Sequence, residues 1–397
     1  MNIGIVTTWF DRGAAFVSKQ YLEAFNEMGN NVFIFARYGE IGRQVGSEWD
    51  QEFVTWGKRL PNQGIKYSQF IKWINKNNIE LVIFNEQANF LIVTEIKKKN
   101  PSLKIGAYVD YYSEEMLPWF NIYDFLLCNT KRHMQAMDFH PQSFYIKWGT
   151  DIELFKPEIN DSTRELTFFH SAGMSNRKGT DILIDTFIEN NFGEKSKLII
   201  HTQKNLEKMF NRSFSNLQEY NIEVIEKTVS APGLYHLGDI YVYPTRLDGL
   251  GLTMYEALAC GMPVITTDYP PMNEIINNEV GWLLKVERNY CRKDGYYWPM
   301  SKVDKKDLAD AIRYYIINSE SLGEMREKAR NLAENNYSWK NNSKCLSEIL
   351  EAIKPIKVDN SLIQKIEDYY RNKKIEPYKE IIRNSKILAF FLPIIKK

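Results

Sequence analysis

Several kinds of protein are argued against by what this chain lacks. Its four cysteines, Cys128, Cys260, Cys291 and Cys345, are scattered without a CxxC pair. That argues against a structural zinc site or a disulfide framework and fits a reducing compartment. An excess of one charge is also missing. The 51 Lys and Arg against 50 Asp and Glu leave a formal net charge of +1, so the balance gives no reason to expect nucleic acid as a partner. No apolar run approaches the roughly 20 residues that span a bilayer, so an integral membrane protein is not expected. The first residues enter a strand pattern, Ile3 to Thr7, without the basic, apolar and small-residue order of an export leader. The expected location is the cytoplasm. None of the five histidines stands in a nucleophile–base pattern, and no Gly-x-Ser-x-Gly elbow occurs.

What is present is a long alternation of strand and helix signals. The 397 residues, 44% apolar and 25% charged, are enough for two or three separate cores. Short apolar runs at Ile3–Thr7, Val32–Ala36, Leu81–Asn85, Ile105–Asp110 and Phe125–Asn129 read as strands. Helix-period segments such as Ser18–Met28 and Tyr67–Asn77 lie between them. A second series follows at Leu166–Ser171, Lys197–Thr202, Ile222–Ile225, Asp239–Tyr243, Val264–Thr267 and Gly281–Leu284. Strands alternating with helices predict a parallel, doubly wound sheet, and two such series predict two Rossmann-like lobes with a ligand between them. The expected units are residues 1–150, 158–355 and a basic helical tail, 356–397.

The most informative segment runs from Tyr243 to Ile265. A strand ends at Pro244, and a loop holding Asp248, Gly249, Leu250, Gly251 and Leu252 leads into a helix that carries Glu256. The glycines let backbone approach a ligand, and the helix start offers free N–H groups to a phosphate or a polar sugar edge. Glu256 can accept hydrogen bonds from neighbouring hydroxyls, as on a ribose, or can simply face solvent. Phe168 to Gly179 places Gly173, Arg177 and Lys178 just beyond another strand, where backbone and cations suit a diphosphate or stay solvated. In the first lobe, Asp11 and Gly13 follow the first strand and Asp110 ends a later one; both loops are candidates for the acceptor side.

The Tyr243–Ile265 segment resembles the donor-site motif of glycosyltransferase family 4, retaining enzymes with the GT-B fold. There, two acidic residues separated by seven positions flank a Gly-Phe-Gly-Leu-like loop. Here they are Asp248 and Glu256, with Asp in place of the usual first Glu. Ile146 to Pro157 resembles the interlobe linker of the same family, with Trp148 and Thr150 as substitutions. Lys178 matches the Lys of its diphosphate-binding loop. Met174 stands where an Arg is usual, and Arg177 is the replacement. Asp268 to Glu274 matches a further donor-side segment, although Glu274 can also cap a helix.

The resemblance implies a retaining glycosyltransferase taking a nucleotide-diphospho-sugar as donor and a glycan or lipid-linked hydroxyl as acceptor. Its setting would be synthesis of a bacterial surface polysaccharide such as capsule or lipopolysaccharide. Glu256 would hold the ribose, Asp248 the sugar, and Arg177 with Lys178 the diphosphate. No cofactor is expected. No metal is expected either, because Asp-x-Asp, which holds a cation in the other major transferase design, occurs nowhere. Many relatives carry a His near Asp110; Val109-Asp110 stands here instead. Two other readings stay open: another GT-B enzyme such as a nucleotide-sugar epimerase, and a non-catalytic partner subunit.

Two segments fall outside the motif. Arg288 to Pro299 is rich in Tyr and Trp around an Asp294-Gly295 turn signal and reads as a surface hairpin whose aromatics cover a core. Residues 356–397 hold ten Lys or Arg and five Asp or Glu, a net of +5. The tail ends in the apolar run from Lys386 to Lys397, which suits either an anionic membrane surface at the inner face or docking on the protein itself.

Overall fold

The computed structural model describes residues 1–37, 47–58, 60, 63–158 and 165–384. The first series of apolar runs forms a seven-stranded parallel sheet of β1 (Asn2–Thr7), β2 (Asn31–Ala36), β3 (Val54–Trp56), β4 (Leu81–Asn85), β5 (Lys104–Tyr108), β6 (Phe125–Cys128) and β7 (Ser143–Tyr145). Its strand order is β3-β2-β1-β4-β5-β6-β7. The second series forms a six-stranded parallel sheet of β8 (Thr167–Gly173), β9 (Lys197–Thr202), β10 (Ile222–Glu226), β11 (Ile240–Tyr243), β12 (Val264–Thr267) and β13 (Gly281–Leu284), in the order β10-β9-β8-β11-β12-β13. Strands such as Leu81–Asn85 and Val264–Thr267 are buried along their whole length. Helices cover both faces of a parallel sheet, which is why these strands read as continuous apolar runs.

The strand orders locate the site. In each sheet the chain winds outward from the first strand, then returns to that strand's other side. Switch points therefore fall between β1 and β4 and between β8 and β11. At such a point the loops leaving the strand C-termini diverge and open a crevice. The loops after β1, β4, β8 and β11 are the ones that carry Asp11, Glu86, Gly173–Lys178 and Asp248.

Some boundaries differ from expectation. β5 stops at Tyr108, so Asp110 lies in a loop and not at a strand end. Asp239 precedes β11, and its carboxylate accepts from Thr167 N at 2.9 Å and from Arg326 at 3.0 Å. The three-residue edge strands β3 and β7 are too short to show a period in the sequence.

The end of the chain returns to the first lobe. Trp339 packs on Trp148 with ring centroids 4.2 Å apart and donates to Gln20 O at 3.0 Å. Asp124, wholly buried, accepts from Lys97 Nζ at 2.6 Å, Ile105 N at 2.8 Å and Ile356 N at 2.7 Å. The helix Asn360–Asn384 then sets Ile363 and Ile366 into the first-lobe core, while the Tyr370 hydroxyl bonds Ala88 O at 2.7 Å. The stretch expected to be a separate tail thus begins as part of the first lobe. The apolar run from 386 to 397 lies outside the described residues. Among the described residues no helix is long and apolar enough to cross a membrane.

The hairpin, β14 (Val286–Tyr290) and β15 (Met300–Val303), is antiparallel with Gly295 at φ +73° near its turn. It leaves the second lobe and covers a loop of the first. Tyr297 N donates to Tyr112 O at 2.9 Å, Trp298 Nε1 donates to the Tyr112 hydroxyl at 2.8 Å, and Tyr296 stacks on Tyr111 at 5.1 Å.

Candidate functional site

The loop after β8 and the loop after β11 lie against each other. Gly179, at φ +78°, makes this contact possible, because a Cβ there would stand 2.1 Å from Pro244 O. Arg246 joins the two loops through a bidentate pair with Asp181 (2.7 and 2.9 Å) and bonds to the backbone of Asn176 and Arg177. Within this frame Lys178 Nζ lies 2.6 Å from Asp248 Oδ2, and the Tyr243 hydroxyl accepts from Lys178 and donates to the same carboxylate oxygen. Gly249 N donates to Asp248 Oδ1 at 2.8 Å. Burial alone would raise the Asp248 carboxyl, but the Lys178 ammonium and the Tyr243 hydroxyl overcome it and hold the group well below the usual carboxylate range. Asp248 is an anion, partnered on one side and partly exposed on the other. Arg177 stands close enough to contribute to that depression and bonds Ser175 Oγ through Nε at 3.3 Å.

Gly251, also left-handed, starts the helix Leu252–Ala259, and Leu250 is buried beneath the loop. One turn in, Glu256 accepts from the Tyr235 hydroxyl. Burial pushes its carboxyl up to about 6, with the Tyr235 hydrogen bond working the other way. Tyr235, Tyr241 and Tyr243 form a row of rings at 5.9 and 5.5 Å that runs under the loop from Glu256 towards Lys178. A cavity of 360 Å³ opens above Glu256. Gly173, Leu252 and Thr253 line it from the second lobe, and Gly13 and Phe16 from the first. That is the size of a small-ligand pocket. A 240 Å³ recess reaches on to Asp11, Arg12 and Met174. A wider 920 Å³ hollow beside Trp282 and Tyr314 touches none of these loops.

The opposite wall belongs to the first lobe. Asp110 faces Gly249 so closely that a Cβ there would sit 2.4 Å from Asp110 Oδ1. Arg132 donates to the carbonyls of Asp248, Gly249 and Pro270, so a first-lobe guanidinium holds the second-lobe loop. His133, on the same short helix Lys131–Ala136, places Nε2 3.6 Å from Asp110 Oδ1, and its Nδ1 meets the Tyr112 hydroxyl at 2.8 Å. Glu86 follows β4 with φ +51° and lies close enough to Asp110 for the two carboxyls to act on each other. Burial first and Asp110 second raise the Glu86 carboxyl. Asp110, which burial alone would raise, is brought down by His133, Arg132 and Glu86.

The expected residues therefore separate by place. Gly173, Arg177, Lys178, Asp248, Gly249, Leu250, Gly251, Leu252 and Glu256 gather on one edge of the second sheet. Asp11, Gly13 and Asp110 stand across from them. Glu274 lies elsewhere: its carboxylate accepts from the backbone N of Lys131 (2.6 Å) and Arg132 (3.0 Å), capping a first-lobe helix outside the cavity. Both oxygens of the carboxylate are committed to that cap. Glu86, Arg132, His133 and Arg246 are unforeseen members of the site. Sequence spacing carries no signal for Glu86, Arg132 and His133, which strand order alone brings together, whereas Arg246 lies inside the Tyr243–Ile265 segment two residues before Asp248. Among the described residues no group of three or more His, Cys, Asp or Glu is arranged to hold a metal ion.

Comparison with known proteins bears on the fold that carries these residues. Residues 151–332 match the family model described as glycosyl transferases group 1. An uncharacterized glycosyltransferase of Sulfolobus islandicus rod-shaped virus 1 is 26% identical over 44% of this chain and 52% of its own. The GtfA subunit of the UDP-N-acetylglucosamine–peptide N-acetylglucosaminyltransferase of Streptococcus pneumoniae is 20% identical over 62% of this chain and 54% of its own. The matches thus span about half the length of these relatives. Among solved structures, sucrose-phosphate synthase of Thermosynechococcus elongatus superposes with a TM-score of 0.71 at 15% identity, covering 88% of this chain and 98% of that one. The fold is GT-B: two Rossmann-like lobes facing a cleft, with a helical C-terminal region.

Proposed function

We propose that this chain is a retaining glycosyltransferase that works without a metal, moving a hexosyl-type sugar from a nucleotide-diphospho-sugar to a hydroxyl of a glycan or glycolipid during surface polysaccharide synthesis. The observation that carries the reading is the Lys178–Asp248 pair that joins the loops after β8 and β11, with Glu256 on the helix that the second of these loops enters. Hydrogen-bond accounting supports it. The Lys178 ammonium has three donors and gives one to Asp248 and one to Tyr243, leaving one for a phosphate oxygen. The Asp248 carboxylate has about four acceptor positions and uses three, leaving one for a sugar hydroxyl. Glu256, at the edge of the cavity, suits the two hydroxyls of a ribose.

In this mechanism the chain stabilises charge that grows on the departing diphosphate, through Lys178, Arg177 and the N–H groups at the start of the Leu252 helix. The acceptor proton goes to the leaving phosphate oxygen on the face where the new bond forms. The match to the group 1 family and the relative that uses UDP-N-acetylglucosamine support this donor class. Melting curves with a panel of nucleotide sugars test it, since a ligand bound by the native state alone raises the Tm. At least one nucleotide sugar is expected to raise the Tm, and Glu256→Ala to weaken that ligand about tenfold or more. No shift with any of them would remove the reading.

A further inference from the structure

We infer that Gln20, on the first lobe, hydrogen-bonds the base of the nucleotide donor and so helps to set which nucleotide the site accepts. This rests on the glycosyltransferase reading and adds to it a residue that selects among nucleotide sugars. In the helix Gly13–Glu27, the residues Gly13, Phe16 and Gln20 recur at spacings of three and four and share one face. That face lines the 360 Å³ cavity together with Pro232, Leu234 and Glu256 of the second lobe. The lobes are close here: a Cβ on Gly13 would lie 3.9 Å from Leu252 Cδ1, at the start of the helix that carries Glu256. The Gln20 backbone is held in place, because its carbonyl accepts from Trp339 Nε1 at 3.0 Å. Its side-chain Oε1, by contrast, is covered by protein and has no hydrogen-bond partner in the chain. A carboxamide oxygen covered in this way is costly, and a ligand in the cavity that offers a donor removes the cost.

The charges of the cavity decide which end of the donor lies in it. Its lining carries Glu256 and the exposed Glu23 and Asp151. Its one cation among the described residues, Lys19, is paired with Glu48. Burial lowers the His201 imidazole, which therefore adds no positive charge near neutral pH. Such a lining repels a diphosphate. Lys178 and Arg177 stand outside it, in the loop that follows Gly173. The uncharged nucleoside is thus the part that suits the cavity. Phe16, Phe155 and Pro232 supply apolar surface for a flat base, and Glu256 takes the ribose. The Gln20 carboxamide brings one acceptor group and two N–H donors to the base edge, as carboxamides do on adenine in DNA.

The test is the preference among bases. Binding of UDP, GDP and ADP is measured by calorimetry on the full chain and on Gln20→Leu and Gln20→Glu. The wild type should bind one of the three about tenfold or more tightly than the others, and Gln20→Leu should remove most of that preference. Gln20→Glu keeps the length of the side chain but replaces its donors by an acceptor. It should raise the affinity for GDP relative to UDP by about tenfold, because guanine presents adjacent N–H donors whereas the single N–H of uracil stands between two carbonyls. Each preference is read within one variant, so a change in stability that weakens all three nucleotides alike does not move it. Gln20 is only partly buried, and both variants should fold. Equal wild-type affinity for the three nucleotides, or preferences that neither substitution moves, overturns the base contact while leaving the transferase reading intact. Failure of the wild type to bind any of the three counts against both.

Discussion

At the scale of single residues, the site depends on carboxyl groups pushed in opposite directions by their neighbours. Asp248 is held ionised by Lys178, whereas Glu256, buried beside Tyr235, is raised to about 6. For Glu256 the folded chain favours the protonated form. Its contribution to stability is therefore fully present below about pH 4.5 and is lost as pH rises through about 6. Ligand binding runs the other way, because the ionised form is the one that accepts two ribose hydroxyls. Affinity for a nucleotide sugar should rise between pH 5 and 7 with a midpoint near 6, and Glu256→Gln should flatten that limb. The diphosphate of a nucleotide sugar carries no ionisation in this range, so a titration of binding against pH reports on the protein. A wild-type profile flat from pH 5 to 7 contradicts the ribose assignment.

At the scale of elements, the returning end of the chain is a structural member of the first lobe. Asp124 ties it there by accepting from Lys97, Ile105 and Ile356 with no exposure to solvent. Asp124→Ala leaves Lys97 buried and unpaired, which typically costs about 3–5 kcal/mol. Amide exchange in residues 360–372 should accelerate together with the first-lobe strands; unchanged protection would mean that the helix is held by its apolar contacts alone. This anchoring could not be read from the sequence, where the same residues show only a basic amphipathic pattern. The long strands were legible because burial on both faces makes them uninterrupted apolar runs, as at Leu81–Asn85. The Asp248–Glu256 loop was legible because strand, glycine turn and helix are contiguous there. Glu274 was legible only as a choice between a donor contact and a helix cap, and only the packing of Lys131 and Arg132 against it reveals which helix it caps. His133 and Glu86 had no local signal. Their meeting with Asp110 follows from the order in which β4, β5 and β6 line up.

At the scale of the whole molecule, the cleft is built jointly by the two lobes. Arg132 and Glu274 cross it in opposite directions, the hairpin lays Trp298 on Tyr112, and Trp148 in the linker stacks on Trp339 of the returning chain. These contacts set Asp110 against Gly249 and bring the first-lobe wall to the loop that carries Asp248. The central claim is that this composite cleft splits a nucleotide sugar by stabilising its diphosphate. The most direct measurement is the rate at which purified protein releases nucleotide diphosphate from the nucleotide sugar that binds it, compared with Lys178→Ala at saturating donor. Loss of one charge-stabilising donor is worth about 2.7–4 kcal/mol of barrier, so the variant should be slower by about 10²–10³-fold. Release at the wild-type rate by Lys178→Ala would contradict the account.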